Sequence, residues 1–209
     1  AQDGSKLNVG DLNEITVLID RAEASRTEVA MNHWRKDLDG PPHSHAGKEQ
    51  VFFITEGEGT IRLGDEAHPA KPGSLIYVPE GVVHQSVTRD HAMTYFLFNA
   101  ILAPPPAGCA TYAEHIEKVK SIRQQQAATG NAASDPNLSK RVSAKQPRSI
   151  VDVSGTTSEI LVSRTDTDAC EVGRVAMIRN STRKMQLQDC EQTIFVLSGD
   201  GTVEINGER

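Results

Sequence analysis

One stretch of this chain occurs twice. Glu49-Gln50-Val-Phe-Phe-Ile-Thr-Glu-Gly-Glu-Gly59-Thr60 returns as Glu191-Gln192-Thr-Ile-Phe-Val-Leu-Ser-Gly-Asp-Gly201-Thr202, and Glu28-Val-Ala-Met31 returns as Arg174-Val-Ala-Met177. A repeat of this kind implies two copies of one domain type, so any fold proposed for the first half must also suit the second. The second copy reaches Arg209 with strands of the first copy still unmatched. The second barrel is therefore expected to be incomplete.

The first copy reads as strands. Glu14–Ile19, Thr27–Trp34, Gln50–Thr55, Gly59–Leu63, Ser74–Val78, Gln85–Thr88 and Met93–Leu102 are short β-branched or aromatic runs. Gly57 and Gly59, Gly64-Asp65, Pro72-Gly73 and Glu80-Gly81 separate them. Short strands at even spacing, broken by turn residues, predict an all-β sandwich or barrel. Residues 1–13 read as a loose lead-in. Ala103-Pro-Pro-Pro106 ends the sheet region.

Thr111 and Glu114 then have capping-box spacing, and Ile116, Val119 and Ile122 recur at helical spacing. One amphipathic helix is expected over 112–128, with Gly130 as its stop. Glu117, Lys118, Lys120 and Arg123 should lie on its solvated side. The predicted organisation is a domain at 1–105, a helix and linker at 106–149, and a partial second domain at 150–209.

The chemistry concentrates in three histidines. Alternate residues of an extended segment face one side, so His43 and His45 can project together. Gln50 opens the next strand, and His84 follows a Pro/Gly turn. Three imidazoles and one oxygen donor suit Zn, Ni, Fe, Cu or Mn better than Mg or Ca. Glu49 competes with Gln50 for the fourth place. Strand parity favours Gln50, because Gln50, Phe52 and Ile54 share one face. With four neutral ligands the ion's charge is not offset, which favours an anionic ligand. The second copy has Met185 and Leu187 in place of His43 and His45 and keeps only Gln192. One metal per chain is expected. His33, His68, His91 and His115 read as structural or solvated.

Gly40, His43-Ser-His45, Gln50 and Gly57 resemble the first motif of the cupins. Gly73, Pro79-Glu-Gly81 and His84 resemble the second. The resemblance implies a jelly-roll β-barrel, here duplicated with a connecting helix. It also implies a divalent transition metal on His43, His45, Gln50 and His84. The three-His-one-Gln set is similar to small cupins of pectin and alginate breakdown, which convert unsaturated uronic acids to keto sugar acids. That implies a metal acting as Lewis acid in sugar-acid isomerase or hydro-lyase chemistry.

In those proteins an acid and an Arg follow the last metal-bearing strand. Here Asn99 stands near the acid's place and no Arg follows. Proton transfer would then fall to Tyr77, Tyr95 or water, since Asn is no general acid or base. Arg35 and Arg62, with Trp34, are candidates to meet a carboxylate at the barrel mouth. One alternative is a cupin dioxygenase using Fe or Ni, with Phe52, Phe53, Phe96 and Phe98 lining its pocket. Another is a non-catalytic sugar-binding or sensing domain.

Net charge is −6, which gives no electrostatic ground for binding nucleic acid or an anionic membrane. No apolar run reaches the length of a membrane span. Cys109, Cys170 and Cys190 are odd in number and form no CxxC, so buried free thiols are expected, with Cys170–Cys190 the one conceivable bridge. The start Ala1-Gln2-Asp3 reads as the product of signal-peptidase cleavage, so a periplasmic or secreted location is expected, with a cytoplasmic one the alternative. Phe53 and other outward apolar residues are expected to pack on the second copy or a dimer partner, and the unfinished sheet edge to be covered by the first domain, another chain or residues beyond this sequence; a homodimer is the expected assembly.

Overall fold

A computed structural model of the chain describes residues 4–9, 13–129, 148–151, 157–184 and 189–205. The strands are β1 (Ser5–Val9), β2 (Asn13–Ile19), β3 (Thr27–Trp34), β4 (Lys48–Gly57), β5 (Gly59–Leu63) and β6 (Glu66–Ala70). They continue with β7 (Leu75–Val78), β8 (His84–Val87) and β9 (Met93–Ile101). Helix α1 (Tyr112–Thr129) follows, then β10 (Arg148–Val151), β11 (Thr157–Val162) and β12 (Val172–Ala176).

The first nine strands form two sheets, one in the order β1-β2-β3-β9-β4-β7 and one in the order β6-β5-β8. Every pairing within them is antiparallel. Phe52, Ile54, Ile61, Leu63, Met93 and Leu97 fill the space between the sheets. This is a jelly roll, mostly β with one connecting helix. Side chains alternate along each strand, so β4 buries Lys48, Gln50, Phe52 and Ile54 on the inner face and turns Glu49 outward. The chain leaves the large sheet at the end of β4 and enters the small one at β5, turning at Gly57, whose φ is +67°. A Cβ there would also stand 1.8 Å from the Ala92 carbonyl oxygen, so the position needs glycine twice over.

Two strands were not expected. β1 lies in the lead-in and pairs with β2 from Ser5↔Val17 to Val9↔Asn13. β6 pairs with β5 despite Pro69. It is the edge of its sheet, where a missing N–H is tolerated.

Helix α1 begins as the capping box predicts. The Glu114 N–H donates to Thr111 Oγ1 at 3.2 Å, and the Thr111 N–H donates to Glu114 Oε2 at 3.3 Å. Tyr112 and Ile116 pack on Ile15, Val17 and Ala30 of the first barrel. Ile122 and Arg123 have no described side chains, Gly130 lies outside the described residues, and so does most of the expected linker.

The second region forms a three-stranded sheet, β10-β11-β12. It sits on the outer face of the large sheet, where Val162, Cys170 and Val172 meet Val51, Phe98 and Ala100. The repeated stretch at 191–197 forms no strand, and Ile194, Val196 and Leu197 are exposed. Its first-copy counterpart, β4, is held between β9 and β7. No such flanking pair occurs among the described residues of the second copy.

All three cysteines are free. Cys190 is exposed rather than buried, which corrects that expectation.

Candidate metal centre

The segment carrying His43 and His45 is not a regular strand. It runs beside β8, and His43 forms an isolated bridge with His84. The His43 N–H donates to the His84 carbonyl at 3.0 Å, and the His84 N–H donates back to the His43 carbonyl at 2.8 Å. This reciprocal pair sets the two imidazoles side by side, with ring centroids 4.3 Å apart. His45 lies 4.9 Å from His43 and 5.2 Å from His84 by the same measure. One ring nitrogen from each of the three falls within 4.8 Å of the others.

Backbone carbonyls orient two of the rings. His43 Nδ1 is 2.9 Å from the Pro41 carbonyl and His84 Nδ1 is 3.0 Å from the Val82 carbonyl. A carbonyl only accepts, so each Nδ1 carries the proton and each Nε2 keeps its lone pair for a cation. His45 is held well below the usual imidazole pKa, first by burial and then by the nearby Lys48 cation and the other imidazoles. Part of its surface still meets solvent, but protein atoms enclose the ring. It is neutral, as a ligand must be.

Gln50 lines the same cavity and is 5% exposed. Its Nε2 donates to Asn99 Oδ1 at 2.8 Å, while its Oε1 is buried and meets no protein donor. Leaving a buried acceptor unmet costs about 1–3 kcal/mol, which a cation would relieve. The residues present therefore fit a transition metal. Glu49, on the opposite face, accepts from Thr167 Oγ1 at 2.7 Å.

The cavity has a volume of about 50 Å³. That is room for a few waters or a small ligand. Its inner wall includes Tyr95, whose hydroxyl accepts from Asn32 Nδ2 and Trp34 Nε1, both at 3.0 Å. Asn13 Oδ1, on the same wall, is a second buried acceptor without a protein donor.

Helix α1 supplies Tyr112, His115, Ile116 and Val119 to the lining. His115 was read as structural or solvated. The structure instead puts it at the cavity, with its ring 6.2 Å from His45 and its Nε2 3.3 Å from Lys48 Nζ. Lys48 and Asn13 were likewise not singled out. They lie far from the histidine motifs in sequence, and only the packing of α1 and β2 brings these elements to the site. No Asp or Glu occurs among the described lining residues, and Lys48 is a cation there.

The other sequence candidates fall elsewhere. Tyr77 is on the outer face of β7, near Glu49 and Thr167, and burial raises its pKa. Asn99 is fully buried and bonds Gln50 and Glu28 rather than lining the cavity. Arg35 and Arg62 are exposed and do not line it. Of the four phenylalanines offered for an apolar pocket, Phe52 alone lines the cavity. Phe98 packs on the second region and Phe96 lies 4.4 Å from the Phe195 ring. Met185 and Leu187 lie outside the described residues, and Gln192 is exposed.

The first region is a two-sheet β-barrel in which three histidines converge in a geometry that could hold a metal ion. Residues 34–98 match the cupin domain family. No curated protein matches the sequence. Among solved structures, the DMSP lyase DddQ of Ruegeria pomeroyi is similar at 21% identity, covering 43% of this chain and 47% of that one, with a TM-score of 0.41. This chain thus spans under half of that lyase. KdgF from Halomonas sp. is similar at 14% identity over 46% of this chain and 87% of that one, TM-score 0.43. A cupin-like protein of Thermotoga maritima is similar at 22% identity over 48% and 79%, TM-score 0.42. None of the three bears on the chemistry of the site.

Proposed function

We propose that this protein is a metal-dependent cupin acting on a small anionic molecule of the sugar-acid type, by isomerase or lyase chemistry. The observation that carries the reading is the composition of the cavity. Its ligands are three imidazoles and an amide oxygen, its lining contains Lys48, and no described lining residue is a carboxylate. A divalent cation bound there keeps its charge, and a carboxylate ligand completes the balance. When bound, the metal supplies Lewis acidity toward a carbonyl or ring oxygen.

The chain's own residues do the rest. His43, His45, His84 and Gln50 hold the ion. Lys48 attracts the carboxylate. Asn13 Oδ1 accepts from a ligand hydroxyl, and a polyhydroxylated acid brings such donors. Tyr95, Tyr112 and His115 are proton-carrying side chains at the cavity. Of the phenylalanines that a dioxygenase reading would use, Phe52 lines the cavity, while Phe98 packs on the second region and Phe96 on Phe195.

Metal analysis of purified protein, followed by assay with unsaturated galacturonate or guluronate, tests the reading. We expect about one transition-metal ion per chain and loss of that ion in His84→Ala. Retention of the ion in His84→Ala would sink the site assignment. Tight carboxylate binding without turnover would favour a sensing role, which the absence of a carboxylate base in the cavity also suits.

A further inference from the structure

Glu28, Asn99 and Gln50 form one row across three adjacent strands. Glu28 on β3 lies directly opposite Asn99 on β9, and Asn99 lies directly opposite Gln50 on β4. Directly opposed residues share a face, so all three side chains point into the barrel. Glu28 and Asn99 have no exposed surface. Asn99 Nδ2 donates to Glu28 Oε2 at 3.2 Å, and Gln50 Nε2 donates to Asn99 Oδ1 at 2.8 Å. Arg21 Nε donates to Glu28 Oε1, and Lys48 Nζ is 3.9 Å from Glu28 Oε2.

An amide side chain has a donor end and an acceptor end, and which way it points is decided by its partners. Glu28, held between two cations, is a carboxylate and only accepts. Asn99 must therefore turn its NH₂ toward Glu28 and its oxygen toward Gln50. Gln50 must then turn its NH₂ toward Asn99, which leaves its oxygen for the cavity. We propose that Glu28, acting through Asn99, fixes the Gln50 amide so that its oxygen faces the metal position. Glu28 and Asn99 are positioning residues. The row also accounts for glutamine at position 50. A carboxylate there would confront the Asn99 oxygen, and turning Asn99 to meet it would confront Glu28 instead.

This inference rests on the metal-site reading, and one experiment separates them. Zinc affinity is measured by calorimetry on wild type, Gln50→Ala, Asn99→Leu and the double variant, with Glu28→Gln as a near-isosteric second probe and circular dichroism as the folding control. Removing an outer partner of a metal ligand costs roughly 10–100-fold in affinity. We expect a loss in that range for Asn99→Leu and for Glu28→Gln. We expect no further loss when either is added to Gln50→Ala, because coupled residues do not act independently. Losses that multiply in the double variants, or folded Asn99→Leu and Glu28→Gln proteins that bind zinc as wild type does, would overturn the proposal. Wild type that binds no zinc would overturn the metal-site reading itself.

Discussion

Each residue at the centre is constrained from two sides. His84 offers its Nε2 because the Val82 carbonyl holds its Nδ1 proton, and Gln50 offers its oxygen because Asn99 takes its NH₂. The buried row makes a prediction for the metal-free protein. Gln50→Glu sets two buried acceptors face to face, so it should lower apo stability by about 1–3 kcal/mol, read as a fall in denaturation midpoint. Thiol chemistry follows burial in the same way. Burial, helped by the Glu49 charge, pushes the Cys170 thiol up to about 12, whereas Cys190 is exposed. Iodoacetamide at pH 8 should alkylate Cys190 and leave Cys170 unlabelled in the folded protein, as peptide mass spectrometry would show. Gln50 was legible in the sequence from strand parity. Its orientation was not, since that depends on Asn99 and Glu28, both remote in the chain.

At the scale of elements, α1 closes the cavity that the barrel alone leaves open. Its start depends on the Thr111–Glu114 box, and Thr111→Ala should cost about 1 kcal/mol at that end. Amide exchange in the first turn should quicken, and a chelator should strip the metal faster than from wild type. The capping box and the spacing of Ile116 were legible as local patterns. The destination of the helix was not, because the same apolar stripe fits any apolar surface. His115 shows the consequence. Nothing in its neighbourhood along the chain distinguishes it from a solvated histidine, and its place beside Lys48 and His45 comes from how α1 docks. β1 and β6 went unread for a related reason. β1 is polar, β6 contains a proline, and both exist by pairing at a sheet edge.

Across the whole molecule, the first barrel and the region after it are joined through matching residues of the repeated stretch. Glu49 accepts from Thr167 of the second region. Its counterpart Glu191 accepts from the Ser25 and Arg26 amides at 2.9 and 3.0 Å and from the Ser25 and Thr27 hydroxyls at 2.9 and 3.1 Å. Burial by itself would raise the Glu191 pKa, but these hydrogen bonds outweigh it and hold the carboxyl below its ordinary 4.5. A folded value below the unfolded one means the contact contributes fully above about pH 4.5 and fades as pH falls through the lowered value. Urea melts between pH 3 and 6 should show wild type more stable than Glu191→Gln at the upper end, with the two converging at the acidic end. The difference should be small, since the carboxylate is exposed to solvent.

The sequence by itself determined the barrel, most of its strands, the three histidines and the start of the helix. Those features are written in short-range spacing: period-two strands, glycines where φ is positive, a cap three residues from its partner, and imidazoles on alternate residues. Only the tertiary structure decided that Lys48, Asn13 and His115 meet at the cavity, that Tyr77, Phe96, Phe98, Arg35 and Arg62 do not, and that the Gln50 oxygen faces inward. These outcomes depend on which face of each strand is buried and on which donor meets which acceptor across strands far apart in the chain, and no local pattern encodes that.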